Sequence, residues 1–286
     1  MSHRKRVARK LVRHPFWQAD KPYLHDHTIT DARFRKLGYM MAFCAGAINA
    51  GGFFAVASYT SHVSGTLSRV ADSVAMGDWK MAVSALLGAL SFLFGAILAS
   101  FSILWGQRHH FRSCYGLAMW AEAGFLLLFS IFGVALTRFG AAMIAPTFML
   151  LCFIMGMHNT VMSVLSGGAV RSTHMTGSTT DLGVELSRAL YYSKSSNPKL
   201  PDVKVNRPKM LLLAGTIINF VLGGIAGAYG YNRFGYYFTL PVSGMLFILG
   251  VGSVGYDVKI RMKWWLINKI RERERAKRKT AHEKKE

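Results

Sequence analysis

The sequence predicts an all-α membrane protein of six transmembrane helices, built as two inverted three-helix repeats. Three observations predict it. The 286 residues are 51% apolar and 17% charged, and the apolar residues cluster in six runs of about twenty: roughly 37–59, 80–104, 115–136, 140–165, 209–230 and 235–256. At about 1.5 Å of rise per residue, each run can cross a hydrocarbon core of about 30 Å. The basic residues fall on one side of such a topology, and a short motif is written twice, once in each half.

The formal net charge of +21 would point to nucleic acid in a soluble chain. Here the spans account for it. With both termini inside, residues 1–36, the pair Arg108 and Arg112, the stretch Arg171 to Lys209 and the residues from Lys259 onward hold 31 of the 35 Lys and Arg, leaving Arg69, Lys80, Arg138 and Arg233 outside. The positive-inside rule then puts both termini in the cytoplasm of a bacterial inner membrane, and no nucleic-acid partner is expected. A 36-residue basic lead before a full-length first span argues against a cleavable signal peptide. Cys44, Cys114 and Cys152 have no disulfide or CxxC spacing and read as packed thiols.

Taken in order, the chain divides into a basic cytoplasmic tail (1–36), a first membrane repeat (37–139), a second, inverted repeat (140–257) and a basic C-terminal helix or tail (258–286). In the first span Gly46-Ala-Ile-Asn49 precedes Thr60-Ser61-His62-Val63-Ser64-Gly65-Thr66. In the fourth span Gly156-Met157-His158-Asn159 precedes Ser172-Thr173-His174-Met175-Thr176-Gly177-Ser178. The first pair is offset by 110 residues and the second by 112, and the second spans align at 128, Phe92 to Ala99 against Phe220 to Gly227. The third spans show no match. An odd number of crossings per repeat inverts the second copy, an architecture common in secondary transporters and also found in channels.

Residues 60–72 and 171–190, which contain the signatures, are rich in Ser, Thr and Gly, which suits broken or re-entrant helices lining a wet cavity near the membrane midplane. Trp79, Trp105, Trp264 and Trp265 flank spans as interfacial anchors, and Gly95xxxAla99 and Gly223xxxGly227 permit close helix packing and leave room for a homodimer. The stretch after Asp257 reads as a basic helix on an anionic inner leaflet, and residues 194–208 as a solvated linker.

The ordered motifs GxxN, T-x-x-x-[ST]-G and their second copy, GxxN followed by R-[ST]-T-x-x-[ST]-G-x-x-[ST]-D-L, resemble the YoaK-type family of small integral membrane proteins, a domain of unknown function. The resemblance covers about residues 37–256 and implies a six-helix bacterial inner-membrane protein. It implies no substrate.

Several residues are candidates for chemistry. Half-helix N-termini offer unpaired N–H groups, and hydroxyls add donors and acceptors, so Thr60, Ser61, Ser64, Thr66, Thr173, Thr176 and Ser178 suit a polar or anionic solute. Gly65 and Gly177 would allow a sharp turn or close ligand approach, and His62 and His174 form a symmetric imidazole pair. Asn49 and Asn159 can bind solute or tie helices together; His158, matched by Ile48, is assigned no role. Glu122, mid-span, is the candidate proton-coupling group. Asp181 and Arg69, each four residues after its signature glycine, would face each other as an ion pair or gate.

Motifs of soluble enzymes are missing, His25-Asp26-His27 reads as ordinary tail, and neither a cofactor nor a metal is expected. The function expected is secondary transport of a small polar or anionic solute, possible proton coupling included. The alternatives are a channel of the same architecture, or a membrane enzyme or assembly factor using His62, His174 and Glu122.

Overall fold

The computed structural model describes residues 32–109, 114–166, 171–191 and 203–251. Residues 1–31 of the N-terminal tail, the C-terminal tail, Arg112, Trp264, Trp265, the His25-Asp26-His27 triplet and most of the 194–208 linker lie outside them, while residues 32–36, read as tail, are already helical. All regular structure among the described residues is helical: α1 (Ala32–Val56), α2 (Val63–Ala75), α3 (Trp79–Arg108), α4 (Cys114–Phe139), α5 (Ile144–Leu165), α6 (Met175–Leu190), α7 (Arg207–Phe234) and a last run, α8 (239–251). One-turn 3₁₀ segments, Gly140–Met143 and Gly235–Phe238, join α4 to α5 and α7 to α8.

Five helical stretches are long and apolar enough to cross a membrane: Arg35–Val56, Trp79–Arg108, Cys114–Gly133, Ile144–Val164 and Arg207–Val251. The last is 45 residues, about twice what a bilayer core needs, and it covers the fifth run read from the sequence and residues 235–251 of the sixth, whose remainder lies outside the described residues. Gly235 interrupts it at φ +58, in the left-handed region that glycine reaches without a Cβ clash.

Side-chain registers give the helix directions. Gly38 faces Leu212, Gly46 faces Phe220 and Gly227 faces Ala47, so α1 and α7 run in the same direction. Gly88 faces Phe148 and Gly95 faces Phe153, so α3 and α5 also run together. In contrast, α5 runs against α1, with Met162 at Gly38, His158 at Met41 and Leu151 at Gly52. It also runs against α4, where Glu122 meets His158 and Phe125 meets Phe153. Ser130 to Thr239, Ala123 to Ser243 and Trp120 to Phe247 set α8 against α4. The chain therefore reverses at Gly235–Phe238.

The two halves exchange partners through matched glycines. A Cβ on Gly46 would sit on the Phe220 carbonyl oxygen, and one on Gly156 on that of Phe92. In the reciprocal pair, a Cβ on Gly95 would strike the Phe153 carbonyl and one on Gly223 that of Phe43. These four positions obey the 110 and 128 offsets of the sequence repeat. Backbones thus approach where only hydrogen fits, which maximises dispersion contact between helices that gain little from apolar burial in lipid.

The core gathers Met41, Cys44, Ile48, Phe129, Leu151, Ile154, Met155 and Met162 where α1, α4 and α5 meet. The outer faces are apolar as well. Leu93, Phe94, Ile97 and Phe101 on α3, and Ile218, Val221, Leu222 and Ile225 on α7, are all exposed. A surface of that extent would aggregate in water and is the normal exterior of a helix bundle in lipid.

Candidate functional site

The two signatures line one cavity of about 980 Å³. Its walls pair across the repeat: Asn49 with Asn159, Ser61 with Thr173, His62 with His174, Val63 with Met175, Ser64 with Thr176, and Phe92 with Phe220. The cavity is thus polar where the half-helices begin and aromatic where the second spans cross it.

Local chemistry explains why the chain enters α2 and α6 as it does. Asn49 Oδ1 accepts the Ser61 backbone N–H at 3.3 Å and the Ser61 hydroxyl at 2.9 Å. Asn159 Oδ1 accepts the Thr173 backbone N–H at 3.2 Å and the Ser172 hydroxyl at 3.5 Å. Each amide straps an irregular segment to the long helix before it, satisfying backbone that would otherwise be orphaned in a membrane interior. Ala57, between α1 and the first strap, holds φ 52, a strained value for a residue with a Cβ.

His62 and His174 are the N-caps of α2 and α6, with φ/ψ of −94°/72° and −82°/62°. Neither ring caps its own helix by a hydrogen bond, and both rings are exposed to the cavity. His62 Nε2 lies 3.1 Å from the Ser64 hydroxyl. Gly65 and Gly177 are helical, so the expected sharp turn is absent; their missing Cβ is what leaves space for the imidazole three residues earlier. A Cβ on Gly65 would overlap His62 Nδ1, and one on Gly177 would overlap His174 Nδ1.

The remaining predicted residues stand behind this wall. Thr60 is buried with its hydroxyl unpartnered among the described residues, and Thr66 returns its hydroxyl to the His62 carbonyl at 3.2 Å. Ser178 is buried one turn into α6. The expected Asp181–Arg69 pairing is replaced by other contacts. Asp181 meets Lys209 at 3.2 Å, tying α6 to α7, and Arg69 reaches the Ser58 hydroxyl at 3.3 Å. The reason is topological: α2 lies along α3, and α6 along α7, so the two side chains stay each with its own half.

Arg171, Tyr59, Thr160 and Ser163 also line the cavity; Arg171 is the first residue of the second motif, R-[ST]-T, but none of the four is among the candidates named from the sequence. Arg171 occupies the position equivalent to Tyr59 at the 112 offset, and Thr160 that of Ala50 at the 110 offset. The second half therefore adds a guanidinium and a hydroxyl that the first half lacks. Arg171 makes no ion pair among the described residues, and the lining contains no carboxylate.

Glu122 lies away from the cavity, fully buried in the bundle core. Its Oε1 is 2.6 Å from His158 Nδ1, and His158 Nε2 is 2.9 Å from the Met41 carbonyl. His158 is thus the histidine that Glu122 meets, although the first repeat offers no counterpart to mark it. Among the described residues, no cluster of three or more His, Cys, Asp or Glu could hold a metal.

Long apolar helices with greasy outer faces, around a cavity that mixes polar and aromatic side chains, mark an α-helical membrane protein. The chain belongs to the DUF1275 family, described as a protein of unknown function, whose model matches residues 37–252. That agrees with the YoaK-type resemblance. No curated protein matches it, and no solved structure does.

Proposed function

We propose that this protein is a secondary transporter of a small polar or anionic solute that works by alternating access. It crosses a bacterial inner membrane six times as two inverted repeats, with both termini cytoplasmic. The observation that carries the reading is the cavity itself: matched residues of the two repeats converge on one site. Packing alone gives little reason to keep the same seven-residue pattern in both halves and to turn both copies toward the same space.

The helix directions support the topology. α1 and α5 open the two halves in opposite senses, and the reversal at Gly235–Phe238 splits the 45-residue stretch Arg207–Val251 into two antiparallel runs. The exchange of α1 with α7 and of α5 with α3 provides two related bundles that can rock about the site, as inverted repeats do. An anion is favoured over a cation because Arg171, two imidazoles and two helix N-termini face a space free of carboxylates. Phe92, Phe220 and Tyr59 would hold an apolar part of the solute.

The test is current recording from reconstituted proteoliposomes on a solid-supported membrane, with carboxylates, inorganic anions, amino acids and cations as the panel. A saturable current lost in the Gly65→Leu/Gly177→Leu variant supports a carrier. A conductance that rises without saturation indicates a channel. Silence in both current and labelled uptake, with the protein folded and inserted, overturns transport.

A further inference from the structure

We infer that Glu122 and His158 form a proton-binding site whose occupancy sets the state of the solute cavity. The inference rests on the transport reading and extends it to the coupling ion. Both side chains are entirely buried, where α4, α5 and α1 meet. A carbonyl only accepts, so the 2.9 Å contact to the Met41 oxygen means that His158 Nε2 carries a hydrogen. His158 Nδ1 and Glu122 Oε1, 2.6 Å apart, are then two acceptors unless one proton lies between them. The observed geometry is that of the pair holding that proton, whichever atom owns it. Loss of the proton leaves the neutral imidazole one N–H for two acceptors, so either the Glu122 contact or the Met41 contact becomes a lone pair facing an oxygen, and α5 must part there from α4 or from α1.

Glu122 Oε2 is buried with no hydrogen-bond partner among the described residues. A pair kept only as a brace between helices would satisfy both oxygens, because an orphaned carboxylate oxygen in the interior is costly. Free, that oxygen is the face through which a proton can arrive and leave by way of a water.

The surroundings contain few other titratable groups. The Cys44 thiol on α1 is buried in the same core. Along α3 the ionisable residues Lys80 and Arg108 stand at the two ends, residues 239–251 contain none, and on α5 the other titratable group is Cys152, on a different face from His158. Tyr39, Arg35 and Lys36 on α1 and Cys114, Tyr115 and Arg138 on α4 lie toward helix ends.

The link to the cavity is covalent. His158 directly precedes Asn159, whose side chain holds the entry of α6, and Thr160, which lines the cavity, follows. A separation of α5 from either neighbour at His158 therefore pulls on the strap of one half-helix. The equivalent of His158 in the first half is Ile48, so the device exists once per chain and makes the two half-cycles unequal.

The proton is its own probe, so the test needs no known solute. Infrared difference spectra of the purified full-length protein are recorded across pH, and the rate of modification of Thr176→Cys by an impermeant maleimide is measured over the same range. The result expected is a protonated-carboxyl band that titrates, shifts in frequency in Glu122→Asp and is lost in Glu122→Gln. Labelling should change severalfold with the same midpoint, relative to the same cysteine in the Glu122→Gln background, where pH has no such effect. Should Glu122→Gln fail to fold, the band shift in Glu122→Asp decides. Absence of a titrating Glu122 band overturns the proposal. A band that titrates while labelling follows one profile in both backgrounds overturns it too. Failure of the transport reading shows separately, as a wild type with no solute-dependent flux.

Discussion

Asn159 holds the backbone N–H of Thr173 through its side-chain oxygen at 3.2 Å, and Asn49 holds that of Ser61 in the same way at 3.3 Å. A helix interior fixes the start of a neighbouring half-helix by one amide, twice over. Replacement of either Asn by Leu strands a half-buried N–H and should cost about 1 kcal/mol. Asp at the same position keeps the acceptor and should retain more of the stability. Thermal unfolding in detergent measures both, and equal losses for Leu and Asp would contradict the strap.

Gly65→Ala and Gly177→Ala should separate activity from stability. Alanine is the better helix former by about 1 kcal/mol in an ordinary interior, so unfolding should change little. Its methyl nevertheless displaces the imidazole of His62 or His174, and solute-dependent current should fall severalfold. Unchanged current in both variants would show that ring placement is irrelevant to the site.

Gly46, Gly95, Gly156 and Gly223 should behave differently, since a methyl there meets backbone carbonyls. Each Gly→Ala change should destabilise by about 1–3 kcal/mol or more through overpacking. Gly46 and Gly223 share the α1–α7 seam, so their double variant should be non-additive, whereas Gly46 with Gly95 should add within experimental error. The same unfolding assay supplies the comparison.

Arg171→Gln should weaken anion-dependent current by about tenfold or more, the order expected from losing a charge-assisted contact. Arg171→Lys should restore part of it, because a point charge replaces the fork without its bidentate geometry. Neutral solutes, if carried, should be affected least. Equal loss for anions and neutral solutes would place Arg171 outside recognition.

Much of this arrangement is legible in the sequence because repeats transmit geometry. The offsets of 110, 112 and 128 name beforehand the residues that pair across the cavity, and the Gly46 and Gly156 motif marks the backbone crossings. Side-chain partners were harder to read. Asp181 and Arg69 are equivalent by offset, yet each is captured by a nearer group, Lys209 and Ser58, since equivalence under a repeat does not imply contact. His158 has no repeat partner, so only the folding of α4 against α5 brings it to Glu122. Arg171 opens the second motif but has Tyr59 as its repeat equivalent, so the repeat does not mark its charge, and the direction of its segment depends on the Asn159 strap.

The most direct test of a shared, alternately open site uses Ser64→Cys and Thr176→Cys, made singly; the three native cysteines are buried. Membrane vesicles of both orientations are treated with an impermeant maleimide. The account predicts that each cysteine is modified from either side, at rates that shift in opposite directions when one orientation is favoured. Modification of each cysteine from only one side, in every condition, would contradict it.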